Sequence, residues 1–198
     1  MSDFWNERYS GKEYVYGTEP NEFFRERLDL LKPGTILLPG EGEGRNALYA
    51  LKNGWIPEAF DWSATAKEKA LKLAAENRFD FLYNTVTFDG FSVKPEYYDA
   101  AALIYIHLPE LERTMLHQKV IASLKPGGVL ILEAYSKEQL GKKSGGPRDA
   151  ELLYSMAELV EDFIDLNFEL LTAVTIELHE GEFHSGEASV VRFCGVKH

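Results

Sequence analysis

The residues best suited to chemistry lie between Thr35 and Asp61. An apolar run, Ile36-Leu37-Leu38, leads into Gly40-Glu41-Gly42-Glu43-Gly44, with glycine at every second position, and Arg45 and Asn46 follow. A helix-compatible stretch runs on to Gly54, and a second apolar segment ends at Asp61, 21 positions beyond Gly40. Strand, loop, helix and strand in that order make a βαβ unit. Lacking a Cβ, Gly40 and Gly42 let the backbone turn tightly and approach a ligand. A helix starting near Gly44–Arg45 aims its free N–H groups at the same place. A carboxylate at position 61 accepts from two ribose hydroxyls, and a hydrogen bond to a charged group contributes about 1.5–3 kcal/mol. The pattern is that of a nucleoside-binding site.

The spacing narrows the ligand. Dinucleotide loops read G-x-G-x-x-G and admit a pyrophosphate. Here the spacing is G-x-G-x-G, with Glu41 and Glu43 inside the loop. Two carboxylates repel a pyrophosphate and suit a sulfonium and an ammonium. The loop resembles motif I of the class I S-adenosylmethionine (SAM) methyltransferases. It departs from that motif at Leu38, where the usual acid is missing, and Glu41 is the carboxylate placed to take over its electrostatic role.

The other elements must hold this loop in a sheet. Residues 1–34 are rich in aromatics (Trp5, Tyr9, Tyr14, Tyr16) and contain a helix with Pro20 in its first turn and an apolar stripe of Phe23, Phe24, Leu28 and Leu31, closed by Lys32-Pro33-Gly34. They either cover one edge of the sheet or form an aromatic lid with Tyr16 and Gly17 nearest the ligand. Ser63 caps a helix running to about Asn77, and Phe79–Val86 reads as a third strand. Asn84 and Thr85 fall where such a sheet presents adenine contacts, though Asn84 is equally a turn residue. Asp99–Ile104 is a continuous apolar run, the mark of a strand buried on both faces. Tyr105, Ile106 and His107 follow at its C-terminal end, where open parallel sheets present reactive groups. Pro109 begins a helix that Lys125-Pro126-Gly127-Gly128 closes, and Val129–Glu133 is the fifth strand. A long polar loop spans Tyr135–Asp149, a capped helix Ser155–Phe163, and two β-rich stretches, Phe168–Leu178 and Ala188–Val196, end the chain as an antiparallel hairpin.

Bulk properties fit this picture. The chain has 198 residues and a net charge of −11, which disfavours nucleic acid and anionic membrane as partners. Cys194 is the only cysteine, so neither an intrachain disulfide nor a cysteine-based metal site is expected. No apolar run approaches the ~20 residues needed to span a bilayer. The polar start, Met1-Ser2-Asp3, lacks a signal-peptide core, and a cytoplasmic protein of one domain, residues 1–198, is expected.

With these residues in view, the whole chain resembles small class I SAM-dependent methyltransferases of the tellurite-resistance and thiopurine-methyltransferase-like type. The phrases that carry the resemblance are Trp5-Asn-Glu-Arg-Tyr9, Tyr16-Gly17-x-x-Pro20-Asn21, Gly42-Glu-Gly-Arg-Asn-Ala47, Phe60-Asp61-x-Ser63, His107-Leu-Pro109, Leu124-Lys-Pro-Gly-Gly128 and Ser136-Lys-Glu-Gln139 with Gly145-Gly-Pro-Arg148. The resemblance implies an α/β, Rossmann-like, doubly wound sheet of seven strands in the order 3-2-1-4-5-7-6, strand 7 antiparallel, with helices on both faces. It implies SAM as cofactor over Gly40, Gly42, Asp61 and the end of strand 4. Tyr16, Glu41, Arg45, Asn46, Trp62, Asn84, Thr85, Tyr105 and Ile106 complete the expected cofactor set.

The implied reaction is methyl transfer to a small, soft sulfur, selenium or tellurium nucleophile, with no nucleic acid, membrane or metal involved. Candidate pocket residues are Tyr105, His107, Arg148, His179 and His184. Each has a plainer role: His107 as a cap or core filler, His179 and His184 as surface histidines in the hairpin link, Arg148 as the partner of a surface carboxylate. Two other functions compete, a SAM-binding protein without methyltransferase activity and a nicotinamide-dependent oxidoreductase. Leu38 and Asn84 keep the first open; Glu41, Glu43, Arg45 and the terminal hairpin argue against the second.

Overall fold

The computed structural model describes residues 2–181 and 183–198; Met1 and Glu182, the latter within the hairpin link, lie outside the described residues. Seven strands form one sheet in the order β3-β2-β1-β4-β5-β7-β6, as the resemblance implied. They are β1 (Thr35–Pro39), β2 (Ile56–Asp61), β3 (Leu82–Thr85), β4 (Tyr98–Ile104), β5 (Leu124–Tyr135), β6 (Leu166–His179) and β7 (Ser185–Lys197). Strands β1–β5 pair in parallel, and β7 runs antiparallel to both β5 and β6. The helices are α1 (Ser2–Arg8), α2 (Glu22–Leu28), α3 (Arg45–Lys52), α4 (Ala64–Glu76), α5 (Glu110–Ser123) and α6 (Met156–Asp162).

Alternation along the strands divides the core. Ile36, Leu38, Ala100, Ala102 and Ile131 face Phe23, Phe24 and Leu28 of α2 and Ala47 and Ala50 of α3. Leu37, Ala101, Leu103, Leu130 and Leu132 face Leu116 and Val120 of α5 and Leu159 and Phe163 of α6. Each large apolar side chain so buried contributes about 1.5–3 kcal/mol. Both faces are covered, which is why β1 and β4 read as continuous apolar runs.

Caps set the helix boundaries. Ser63 accepts from the Ala66 N–H at the start of α4, and Ser155 with Glu158 forms a capping box on α6, both as expected. Several boundaries differ from the sequence reading. Asn21, rather than Pro20, starts α2, because its Oδ1 accepts from the Phe24 N–H at 2.9 Å. The third strand is only Leu82–Thr85. Lys125–Gly128 does not close a helix but forms a bulge inside β5, where the pairing steps from Tyr98↔Leu124 to Ala100↔Val129. The final strands are longer than the β-branched runs suggested, and His179 belongs to β6 rather than to the link. No helix among the described residues is long and apolar enough to cross a membrane.

Candidate active site

The glycine loop joins β1 to α3 at the C-terminal edge of the sheet. Gly40, Gly42 and Gly44 have φ of 61°, 64° and 90°, in the left-handed region that side chains with a Cβ rarely adopt. Gly44 is also where α4 comes closest, since a Cβ there would stand 2.7 Å from the Ala70 Cβ. Gly42 is pinned from two sides. Its N–H donates to Asp61 Oδ2 at 3.1 Å, and its carbonyl accepts from the Tyr83 hydroxyl at 2.7 Å. Asp61 Oδ1 accepts from the Ser63 N–H at 2.9 Å, leaving each carboxylate oxygen a second lone pair. Burial pushes the Asp61 pKa up to about 6, so it is still ionised at neutral pH. A bare loop beside a buried, ionised carboxylate with spare acceptor capacity fits a nucleoside ligand.

The two loop glutamates are held in different ways. Glu41 Oε1 accepts from the Ala47 N–H at 2.7 Å, capping α3 from within, and burial raises its pKa to about 7. Glu43 Oε2 accepts from the Val15 N–H at 2.7 Å, and its carboxylate pairs with Lys69 of α4. Both carboxylates make bonds within the protein, Glu41 through Oε1 to the α3 backbone and Glu43 to Val15 and Lys69. Glu43 thereby ties the N-terminal segment to the loop. That segment lies close: the Tyr9 hydroxyl stands 3.0 Å from where a Cβ on Gly42 would be.

A second cluster forms where β4, β5 and the β6–β7 tip meet. Tyr105, just past β4, takes φ 53°, a strained conformation for an aromatic residue, and its hydroxyl donates to Glu133 Oε1 at 2.9 Å. Arg192 Nε donates to Glu133 Oε2 at 2.6 Å. Asn21 Nδ2 bridges the two acids, donating to Glu133 Oε1 at 2.6 Å and to Glu180 Oε1 at 3.0 Å. Glu180 Oε2 lies 2.9 Å from Arg45 Nη2 and 3.2 Å from His184 Nδ1. Burial alone would raise the Glu180 pKa, but His184 and Arg45 outweigh it and hold the carboxyl at about 2. The His184 ring packs against Tyr16, Tyr105 and Tyr135, with centroids 4.5, 4.6 and 5.4 Å away, and burial lowers its pKa. A hollow of about 290 Å³ opens beside this cluster, between the Tyr16–Glu22 segment and the end of β6, with Glu133, Glu180, Arg45 and Arg192 in its wall.

The structure brings most of the residues singled out from sequence to this edge. Tyr16 sits over His184, and its carbonyl accepts from Arg45 at 3.4 Å. Asn46 Oδ1 accepts from the Asn21 N–H at 2.9 Å. Ile106 is buried against Gly40, and Trp62 packs edge-on to Phe88 at 5.1 Å. Asn84 and Thr85 are exposed on the edge strand, in register with Phe60 and Asp61.

Three candidates stand apart. His107 is a core histidine: Nδ1 lies 2.8 Å from the Leu152 carbonyl, Nε2 is 3.4 Å from the Tyr135 N–H, and burial drops its pKa to about 4. Arg148 is exposed on the polar loop and makes no hydrogen bond or ion pair among the described residues. His179 is exposed at the end of β6, on the rim of the hollow. Sequence reasoning passed over Glu133, Tyr135, Glu180 and Arg192 as site residues. Glu133 and Arg192 had a usable signal, since each is the one charged residue of an apolar run, Val129–Tyr135 and Ala188–Val196 respectively. Among the described residues, no three His, Cys, Asp or Glu side chains gather as a metal site.

No protein-family model and no curated protein matches the chain. Solved structures do. A protein solved for the conversion of a disulfide bond into a thioacetal group during echinomycin biosynthesis superposes with a TM-score of 0.81 at 14% identity, over 100% of this chain and 91% of its own. TehB from Haemophilus influenzae gives 0.75 at 14% identity, over 100% of this chain and 67% of its own. The N-methyltransferase NodS from Bradyrhizobium japonicum, in complex with S-adenosylhomocysteine, gives 0.71 at 13% identity, over 98% and 97%. The fold is the Rossmann-like methyltransferase fold. Its strand order and the hairpin that ends it correspond to what the sequence resemblance implied.

Proposed function

We propose that the protein is a SAM-dependent methyltransferase acting on a small acceptor with a soft nucleophilic atom, working as one domain in the cytoplasm. The observation that carries this reading is the bond between Gly42 N–H and Asp61, which joins a Cβ-free loop to a buried carboxylate at the tip of β2. When bound, the cofactor supplies an electrophilic methyl group on a sulfonium. The chain's own residues do the rest. Asp61 would hold the ribose hydroxyls, the loop backbone would lie under the nucleoside, and Trp62 and Ile106 would flank the base. Arg45 and Tyr105 stand on the side of the loop that leads to the hollow, where an acceptor would enter. Tyr9 and Tyr16 would exclude water, and positioning alone lowers such a barrier by about 7–11 kcal/mol. Support for a sulfur-class acceptor comes from the echinomycin protein, whose reaction converts a disulfide bond into a thioacetal group.

Calorimetric titration with S-adenosylhomocysteine, and with NADH in parallel, tests the reading. Micromolar affinity for the first and none for the second is expected. Gly42→Val should abolish binding by filling the loop, and Asp61→Ala should weaken it by about tenfold or more. Tight binding by the Gly42→Val protein would remove the loop from the site.

A further inference from the structure

The molecule holds a second, independent arrangement beside the glycine loop: an imidazole aligned by a carboxylate that is itself held by a guanidinium. His184 Nδ1 is 3.2 Å from Glu180 Oε2, and the same oxygen is 2.9 Å from Arg45 Nη2. Because an ionised carboxylate only accepts, Nδ1 must carry the proton, and Nε2 is left with its lone pair. Nε2 makes no hydrogen bond among the described residues, and the side chain keeps 9% of its surface exposed. His107, by contrast, has both ring nitrogens tied to backbone.

Position adds to chemistry. Arg45 is the first residue of the helix that follows the glycine loop, so the relay begins at the candidate cofactor site and ends at the hairpin tip. The groups facing His184 come from every neighbouring element. They are Arg8 and Tyr16 of the N-terminal segment, Arg45 of α3, Tyr105 and His107 after β4, Tyr135 of β5, Gly145 of the polar loop, and Glu180. Glu133 and Glu180 are each paired with a guanidinium, Arg192 and Arg45, and the three aromatic faces around the ring suit a group that becomes positive.

Resting on the methyltransferase reading, we propose that His184 is the proton acceptor of the reaction, that Glu180 is its positioning residue, and that the acceptor substrate is a small neutral thiol. The acceptor's S–H proton passes to His184 Nε2 as the new S–CH3 bond forms. The bond from methyl to the donor sulfur breaks, and its electron pair neutralises the sulfonium. The imidazolium then releases its proton to water. Burial, which keeps His184 neutral at pH 7, serves this role.

The test is NMR of the full chain with 15N-labelled histidine, followed by kinetics. In wild type the His184 ring should show Nδ1–H with unprotonated Nε2 at pH 7, and titrate below the ordinary histidine range. Glu180→Gln keeps an oxygen for Nδ1–H but loses the charge, so it should hold the tautomer and move the titration further down, whereas Glu180→Leu should lose the tautomer preference, with S-adenosylhomocysteine affinity within about threefold of wild type in both. Saturating S-adenosylhomocysteine should shift the Nε2 resonance. With 2-mercaptoethanol as the acceptor probe, His184→Gln should lower kcat by about a hundredfold or more, and an unchanged kcat would overturn the proposal. An Nε2–H tautomer in wild type, or a His184 spectrum indifferent to Glu180→Gln, overturns the proposal whatever the probe does. Absence of S-adenosylhomocysteine binding by wild type would instead overturn the methyltransferase reading, which keeps the two failures distinct.

Discussion

Two clusters in this molecule share one composition, a histidine, a carboxylate and an arginine, yet stand in opposite surroundings. Between α5 and α6, His117 Nδ1 lies 2.8 Å and Arg113 Nε 3.1 Å from Asp162 Oδ2, and Arg113 also pairs with Glu158 at 3.5 Å. At the sheet edge, His184 and Arg45 converge on Glu180. The inner histidine is 1% exposed and packed against Phe163, at 4.6 Å, and against Tyr154. It joins two helices and leads nowhere. The outer one stands at the C-terminal edge of the strands, beside the glycine loop and a hollow. The chemistry of the triad does not say which is functional. The proposal for the outer one rests on its place relative to the strand ends, where helix N-termini and free strand ends leave polar groups without regular partners.

Breaking the inner cluster should have the largest effect. Arg113→Met removes the cation from two acids and leaves Asp162 with His117 and the Thr114 hydroxyl. Losing one partner of a buried ion pair costs about 3–5 kcal/mol. A large drop in Tm is expected, with S-adenosylhomocysteine affinity per folded molecule unchanged. Altered affinity at unchanged Tm would reverse the assignment of the two clusters.

Acid should probe the outer one. Glu180 titrates at about 2 rather than the ordinary 4.5, so it stabilises the fold fully above 4.5 and loses that contribution as pH falls towards 2. At about 1.4 kcal/mol per pKa unit the ceiling is about 3 kcal/mol. Glu180→Gln should flatten the fall in stability across this window, measured as Tm against pH. An unchanged acid limb would mean that the relay is not held by charge.

Arg45→Met should act less on stability and more on binding. Glu180 keeps Asn21 and His184, so a loss of about 2 kcal/mol is expected. Affinity for S-adenosylhomocysteine should fall tenfold, equal to about 1.4 kcal/mol. Urea unfolding and calorimetry on the same sample separate the two effects, and a stability loss as large as that of Arg113→Met would make both clusters structural.

The contrast also explains what the sequence could show. The loop from Gly40 to Asp61 is legible because every part of it is local: alternating glycines, a helix start and an acid one βαβ unit away. Ser63, Ser155 and Glu158 are legible for the same reason, as caps bond within a turn. Glu133, Glu180, Arg192 and Asn21 are not, because their meeting depends on strand order. Asn21 and Glu180 stand 159 residues apart in sequence and 3.0 Å apart in space. Tyr105 was placed by its position after β4, but its left-handed backbone, which aims the phenol at Glu133, has no signature in a residue type that avoids that region. Glu41 and Glu43 were read by charge when their geometry follows from the orphan N–H groups of α3 and from the tie to Val15.

Glu41 gives the smallest effect and the sharpest contrast with Glu180. Both carboxylates lie near Arg45, yet one titrates at about 2 and the other at about 7. Burial raises both, and only Glu180 has the guanidinium in direct contact. Between 4.5 and about 7 the folded chain holds the Glu41 proton while the unfolded chain has lost it, so stability falls as pH rises through that window. Glu41→Gln cannot titrate and keeps an oxygen for the Ala47 N–H. Its amide NH2 is left without a clear partner, which removes part of the gain. The variant should therefore match or trail wild type at pH 5 and exceed it by about 1 kcal/mol at pH 8. In an Arg45→Met background the gap at pH 8 should widen, because Arg45 also holds the Glu41 pKa down. A gap that ignores both pH and Arg45 would show that Glu41 is solvated, and with it the loop that carries the cofactor reading.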